Sequence, residues 1–139
     1  MQHEKVLGKV FGATAVHAVA APAAFAGFAG KWKNQYGSVA EFTVTGSDVT
    51  GTYTSAVSSG GGSISGPIVG HTTGDIISFA VLWPSAKPSI TTWAGQVIDD
   101  NGSEVLKTLW YLVTDIQDAS EPTGLWAATY AGADEFTRI

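Results

Sequence analysis

From Gly30 to the C-terminus, apolar and polar residues alternate in short stretches broken by Gly, Ser, Asn, Asp and Pro. Val39–Thr45 shows the pattern, with Val39, Glu41 and Thr43 set against Ala40, Phe42 and Val44. A period of two puts successive side chains on opposite faces of an extended strand, whereas a long helix needs a period near 3.6. No long helical pattern occurs in this part of the chain. The strand stretches are Lys31–Gln35, Val39–Thr45, Val49–Ser55, Pro67–His71, Asp75–Trp83, Ile90–Ile98, Glu104–Val113 and Leu125–Phe136. Gly46-Ser47 and Asn101-Gly102 are two-residue hairpin signals, and Thr72–Gly74 reads as a further turn. Pro84–Pro88 and Asp115–Thr123 are loops, and Ser58–Ser65, with Gly60-Gly61-Gly62, is a flexible one. Sequential hairpins predict an all-β fold, an eight-stranded antiparallel up-and-down β-barrel. Closure removes exposed strand edges, and a barrel of this size has room for one small ligand. The Gly-rich loop suits either a lid at the barrel mouth or a plain connector.

Residues 1–26 are of another kind. Lys5 and Lys9 precede an apolar, Ala-rich run from Val10 to Ala26 that ends Ala24-Phe25-Ala26. A basic start, an apolar middle and a small-x-small end describe a secretory signal peptide cleaved before Gly27, with Ala18-Val19-Ala20 as a second possible site. The alternative is an amphipathic helix that stays attached. The run is broken by His17 and Pro22 and is too short for a membrane span. The expected division is therefore a signal peptide or extension over 1–26, a barrel over 27–139, and a secreted or periplasmic protein if the leader is removed.

Composition narrows the chemistry. The chain has no Cys, which excludes disulfides, thiolate metal sites and Cys nucleophiles. A net charge of −5 disfavours nucleic acid, because phosphate binding needs a basic face. Of three His, only His71 falls in the barrel portion, and nothing sets it beside a Ser for a Ser-His-Asp device. Asp99 and Asp100 are adjacent in a turn rather than facing, as a glycosidase pair must. No metal cluster or phosphate loop is visible. The expectation is a binding protein with no catalysis and no cofactor.

Several short motifs then occur in order. They are Gly30-Lys31-Trp32-Lys33-Asn34-Gln35-Tyr36-Gly37-Ser38, Gly51-Thr52-Tyr53-Thr54-Ser55-Ala56-Val57, Phe79-Ala80-Val81-Leu82-Trp83 and Ser89-Ile90-Thr91-Thr92-Trp93-Ala94-Gly95-Gln96. Thr108-Leu109-Trp110-Tyr111-Leu112 follows, and then Trp126 with Gly132-Ala133-Asp134-Glu135-Phe136. Singly, each Trp reads as core, Asn34 and Ser38 as turn residues, and Asp134 as a strand-end charge. Jointly and in this order they resemble the strands of the avidin and streptavidin family, from Gly30 to the C-terminus, and a bacterial, streptavidin-like member in particular.

That resemblance implies non-covalent biotin binding inside the barrel. Biotin carries a cyclic urea, a thioether ring and a carboxylate tail, and a buried urea needs every polar atom satisfied. By resemblance Asn34, Ser38 and Tyr53 donate to the urea oxygen, while Asp134 and Ser55 accept its two N–H groups and Asp134 also anchors Asn34. Thr91 meets the ring sulfur, and Ser89 with a backbone N–H near Ser58 and Ser59 takes the tail. Trp83, Trp93 and Trp110 form apolar walls, with Leu112, Val57 and Tyr36 between them. Trp126 reaches a neighbouring subunit's site, which implies a homotetramer; a dimer or larger assembly stays open. Tyr36 stands where streptavidin has a smaller apolar residue, and Ala133 where it has a His at a subunit contact. The rival binding reading is a barrel that carries another small apolar or urea-containing ligand.

Overall fold

A computed structural model describes residues 2–12, 25–56 and 61–139. A ten-residue helix, α1 (His3–Gly12), comes first. The strands are β1 (Gly30–Asn34), β2 (Val39–Thr45), β3 (Asp48–Ser55), β4 (Ile64–Thr73), β5 (Ile76–Leu82), β6 (Ser89–Asp100), β7 (Ser103–Thr114) and β8 (Thr129–Arg138). Each pairs antiparallel with the next, and β8 pairs back onto β1, so the eight strands close into one barrel.

Connections alternate in length around the rim. β2 to β3, β4 to β5 and β6 to β7 are joined by tight turns at one end of the barrel. The turn at Asn101-Gly102 has φ of 54° and 87° at its two residues, the left-handed pair that Asn-Gly adopts with least strain. The longer described connections, 35–38, 83–88 and 115–128, lie at the other end. That end is the mouth.

Most strand ends shift by a residue or two from the sequence reading, and the larger differences fall at β4, the turn before β5 and the start of β8. β4 begins at Ile64, because Ile64 and Ser65 of the Gly-rich segment pair with Ser55 and Thr54, and it runs to Thr73 rather than stopping at His71. The turn before β5 falls after Thr73, since Thr73 pairs with Ile76 and leaves two residues between the strands. Strand β8 begins at Thr129, not Leu125. Before it come a 3-10 turn at Asp118–Ser120, the four-residue helix α2 (Glu121–Gly124), which carries Pro122 in its first turn, and a second 3-10 turn at Leu125–Ala128. Proline there has the φ a first helical turn needs and lacks only an N–H that would be unpaired anyway.

The interior is divided along the barrel axis. Below the middle it is apolar, with Phe28, Trp32, Phe42, Val49, Ile68, Ile77, Phe79, Val97, Leu106 and Phe136 all buried. Phe28 closes the base from below, and its carbonyl accepts the Trp32 indole N–H at 2.9 Å. Arg138 lies over the Trp32 ring at 4.3 Å, donates to the carbonyls of Ala29 and Gly27, and pairs with Glu104 at 3.1 Å. A guanidinium suits this place, since one face stacks while the N–H edges bond outward. Above the middle, the inward positions turn polar. Asn34, Ser38, Thr91, Thr108 and Asp134 are buried there among Tyr53, Trp93 and Val81.

Candidate functional site

The polar end of the interior begins with the turn after β1. The Asn34 side chain folds back so that its Oδ1 accepts the backbone N–H of Ser38 at 2.8 Å and of Tyr36 at 3.1 Å. Asn favours such side-chain-closed turns. Only the amide oxygen can accept two N–H groups, so Nδ2 must face the other way, where it meets the Tyr53 hydroxyl at 3.4 Å. Ser38 Oγ accepts the Ala56 N–H at 3.0 Å, which leaves its own proton to donate. Burial pushes the Tyr53 phenol well above its ordinary range, the Asp134 charge adds to that, and a bond with Ser38 opposes it. Tyr53 therefore stays protonated and can donate. Three donors thus lie together at one patch of the barrel interior.

Aromatic packing fixes this patch from beneath. Trp93 lies between Phe79, stacked at 4.9 Å and 11°, and Tyr53, stacked at 4.7 Å and 24°. Tyr53 also meets Trp83 edge-on at 5.7 Å. Register sets the level of the other walls: Trp93 pairs with Trp110 and Thr91 with Leu112. Thr91 Oγ1 accepts the Trp83 indole N–H at 2.8 Å, so the wall and its polar neighbour hold each other. Trp110 has its place because Gly132 lies opposite it in register; a Cβ there would come within 2.4 Å of the indole ring.

Asp134 enters from β8 and is buried. Its Oδ2 accepts the Trp93 indole N–H at 3.0 Å, and its Oδ1 receives a long bond from Gln35 Nε2 at 3.4 Å. Thr108 Oγ1 donates to the Asp134 backbone carbonyl at 3.0 Å. The expected bond from Asn34 to Asp134 is replaced: Asn34 is committed to its own turn and to Tyr53, and Trp93 and Gln35 hold the carboxylate instead. The polar end of the interior therefore offers donors from Asn34, Ser38 and Tyr53, an anionic acceptor from Asp134, and indole side chains beside them. That suits a small neutral group bearing a carbonyl oxygen beside N–H groups.

The remaining sequence candidates divide. Ser55, Trp83, Ser89, Trp110 and Leu112 are half-buried on or beside inward strand positions toward the mouth. Tyr36 is 70% exposed in the turn, with its N–H bonded to Asn34. Trp126 is 76% exposed in the 3-10 turn before β8. Val57, Ser58 and Ser59 lie outside the described residues. The sequence reading missed Gln35 and Thr108. Thr108 sits at an inward position of β7 beside Asp134 in register, a signal that alternation carries. Gln35 follows the last residue of β1, where alternation says nothing.

His71 lies on the outer side of β4, 3.4 Å from Asp48, with both side chains exposed. Among the described residues no group of three or more His, Asp or Glu could hold a metal ion, and no helix is long and apolar enough to cross a membrane.

Fold and site together define a closed antiparallel barrel of the binding-protein class, with buried polar groups held above an aromatic floor. The chain matches the Avidin family over residues 22–139 and belongs to it. It is 37% identical over 118 residues to avidin-related protein 4/5 of Gallus gallus, covering 79% of this chain and 76% of that one. Identity to Gallus gallus avidin is 36% over 120 residues, with the same coverage. Among solved structures, Xenavidin superposes with a TM-score of 0.67 at 31% identity, covering 80% of this chain and 96% of that one. Apo shwanavidin gives 0.65 at 25%, covering 81% and 100%. Members of this family are binding proteins, not enzymes.

Proposed function

We propose that this chain binds biotin non-covalently and with high affinity inside its barrel. The observation that carries the reading is the convergence of Asn34 Nδ2, Ser38 Oγ and Tyr53 Oη on one side, with the Asp134 carboxylate held against Trp93. A cyclic urea matches that set: its oxygen takes the three donors and one N–H meets Asp134. Ser55 takes the second N–H, Thr91 lies against the ring sulfur, and Ser89 with the 58–59 backbone receives the tail carboxylate. Biotin is the bound ligand and not a cofactor of catalysis. Because the donors are already oriented by turn and strand, little ordering cost is met on binding. A plain apolar ligand would make no use of these buried donors and of the Asp134 carboxylate, whereas a cyclic urea engages them.

The assembly proposed is a homotetramer in which Trp126 closes a neighbouring subunit's cavity. Its 76% exposure on the single barrel, beside an exposed Leu125, is what an interface residue shows before its partner is in place. The outer face of β4 to β8 is also apolar, with Val69, Leu109 and Tyr111 exposed around a broad groove. Secretion follows if residues 1–26 act as a signal peptide.

Calorimetric titration with free biotin, with Trp fluorescence followed in parallel, tests the reading. A sharp break near one biotin per chain with a fluorescence change is expected. Folded, ligand-free protein that gives neither heat nor fluorescence change would refute it.

A further inference from the structure

Strands β1 and β8 close the barrel through only three residue pairs, the last being Asn34 with Phe136. Beyond it β1 turns away, because Asn34 is already closing the 35–38 turn. Strand β8 continues through Glu135, Asp134 and Ala133 with no β1 residue opposite. The Gln35 side chain fills that gap. Its Oε1 accepts the Glu135 backbone N–H at 2.9 Å, and its Nε2 lies 3.3 Å from the Ala133 carbonyl and 3.4 Å from Asp134 Oδ1. One primary amide, with one acceptor and two donors, thereby serves the backbone on either side of Asp134 and the carboxylate itself.

We infer that Gln35 is a positioning residue for Asp134: its amide stands in for the missing peptide of β1 and fixes where the carboxylate meets the ligand. Trp93 holds Oδ2 and Gln35 approaches Oδ1, so the two oxygens are tethered from different sides of the barrel wall. Without Gln35, one tether is lost and two backbone groups of β8 lose their partner at the position where the carboxylate must be held. Its effect on affinity rests on the biotin reading above; its effect on Asp134 does not.

The experiment compares Gln35→Ala with the parent in two ways. In ligand-free protein, the indole 1H–15N cross-peak of Trp93 reports the Asp134 carboxylate directly, and that of Trp32, bonded to Phe28 at the barrel base, serves as the control. Gln35→Ala should move the Trp93 peak and leave that of Trp32 in place. The biotin dissociation constant is then measured for Gln35→Ala, Asp134→Ala and the double variant. Loss of one bond to a charged group predicts about tenfold weaker binding for Gln35→Ala in the parent, and less than about twofold when Asp134 is already gone. An unmoved Trp93 peak, or the same tenfold loss in the Asp134→Ala background, would overturn the inference. If the parent protein binds no biotin, the function proposed above fails, and the Trp93 peak alone decides the role of Gln35.

Discussion

Asn34 performs two tasks with two ends of one amide, and a pair of substitutions separates them. Asn34→Ala removes both. The Ser38 and Tyr36 N–H groups lose their acceptor at 2.8 and 3.1 Å. At about 0.5–1.5 kcal/mol per bond, the ligand-free protein should lose about 1–3 kcal/mol. For a domain of this size that lowers Tm by roughly 4–12 °C. Asn34→Asp keeps an oxygen where Oδ1 was, so the turn keeps both bonds, and the Tyr53 hydroxyl can donate to the new carboxylate. Its stability should stay within about 1–2 kcal/mol of the parent, the residual cost being burial of a charge at a site only 6% exposed. Binding reverses the order. In Asn34→Asp the donor to the urea oxygen becomes an anion facing another oxygen, which costs about 3–5 kcal/mol, or roughly 100- to 4000-fold in affinity. Asn34→Ala loses a bond without gaining a repulsion and should be weakened less. Thermal melts of ligand-free protein and biotin dissociation kinetics at about pH 8, well above the usual carboxylate range, give both numbers. A parent-like melting temperature for Asn34→Ala would refute the turn-acceptor role of Oδ1. Parent-like dissociation from Asn34→Asp would refute the placement of Nδ2 toward the ligand.

The raised pKa of Tyr53 makes a prediction about base. Above about pH 10 the unfolded phenol ionises while the buried one does not, so the stability fully present below that pH should fall by about 1.4 kcal/mol per pH unit there, with no pH dependence from Tyr53 at lower pH. Tyr53→Phe should show a shallower alkaline decline in denaturant titrations between about pH 10 and 11.5; equal slopes would contradict the assignment. Gly132→Ala places a methyl group within 2.4 and 2.6 Å of the Trp110 ring and should cost about 1–3 kcal/mol, with a changed Trp emission. A parent-like melt for that variant would show that the wall has slack. Trp126→Ala should leave the stability of the single barrel within about 0.5 kcal/mol but weaken biotin binding by about 30-fold or more, if the ring closes a neighbour's cavity. Unchanged affinity, with light scattering on the same sample, would remove Trp126 from the site.

The strands, their order and the Asn101-Gly102 turn were legible in the sequence, because alternation and turn chemistry act over a few residues. Local pattern read Asn34 and Ser38 only as turn residues and Asp134 as a strand-end charge; resemblance to the avidin family was what named them, with Tyr53 and Thr91, as inward polar groups. Local pattern misplaced the start of β8 because Leu125–Ala128 is apolar enough to read as strand, yet it pairs with none of the described strands and coils into a 3-10 turn.

What alternation cannot supply is the level of a residue along the barrel axis or its partner across the wall. Closure of β1 on β8 decides these by bringing together residues about a hundred positions apart, as in the bond from Gln35 to Glu135. Only in the closed barrel does Asn34 belong to its own turn rather than to Asp134, and only there do Trp93 and Gln35 hold that carboxylate. Sequence alone determined that polar groups face inward; register, set by the pairing of the closing strands, determined which of them meet.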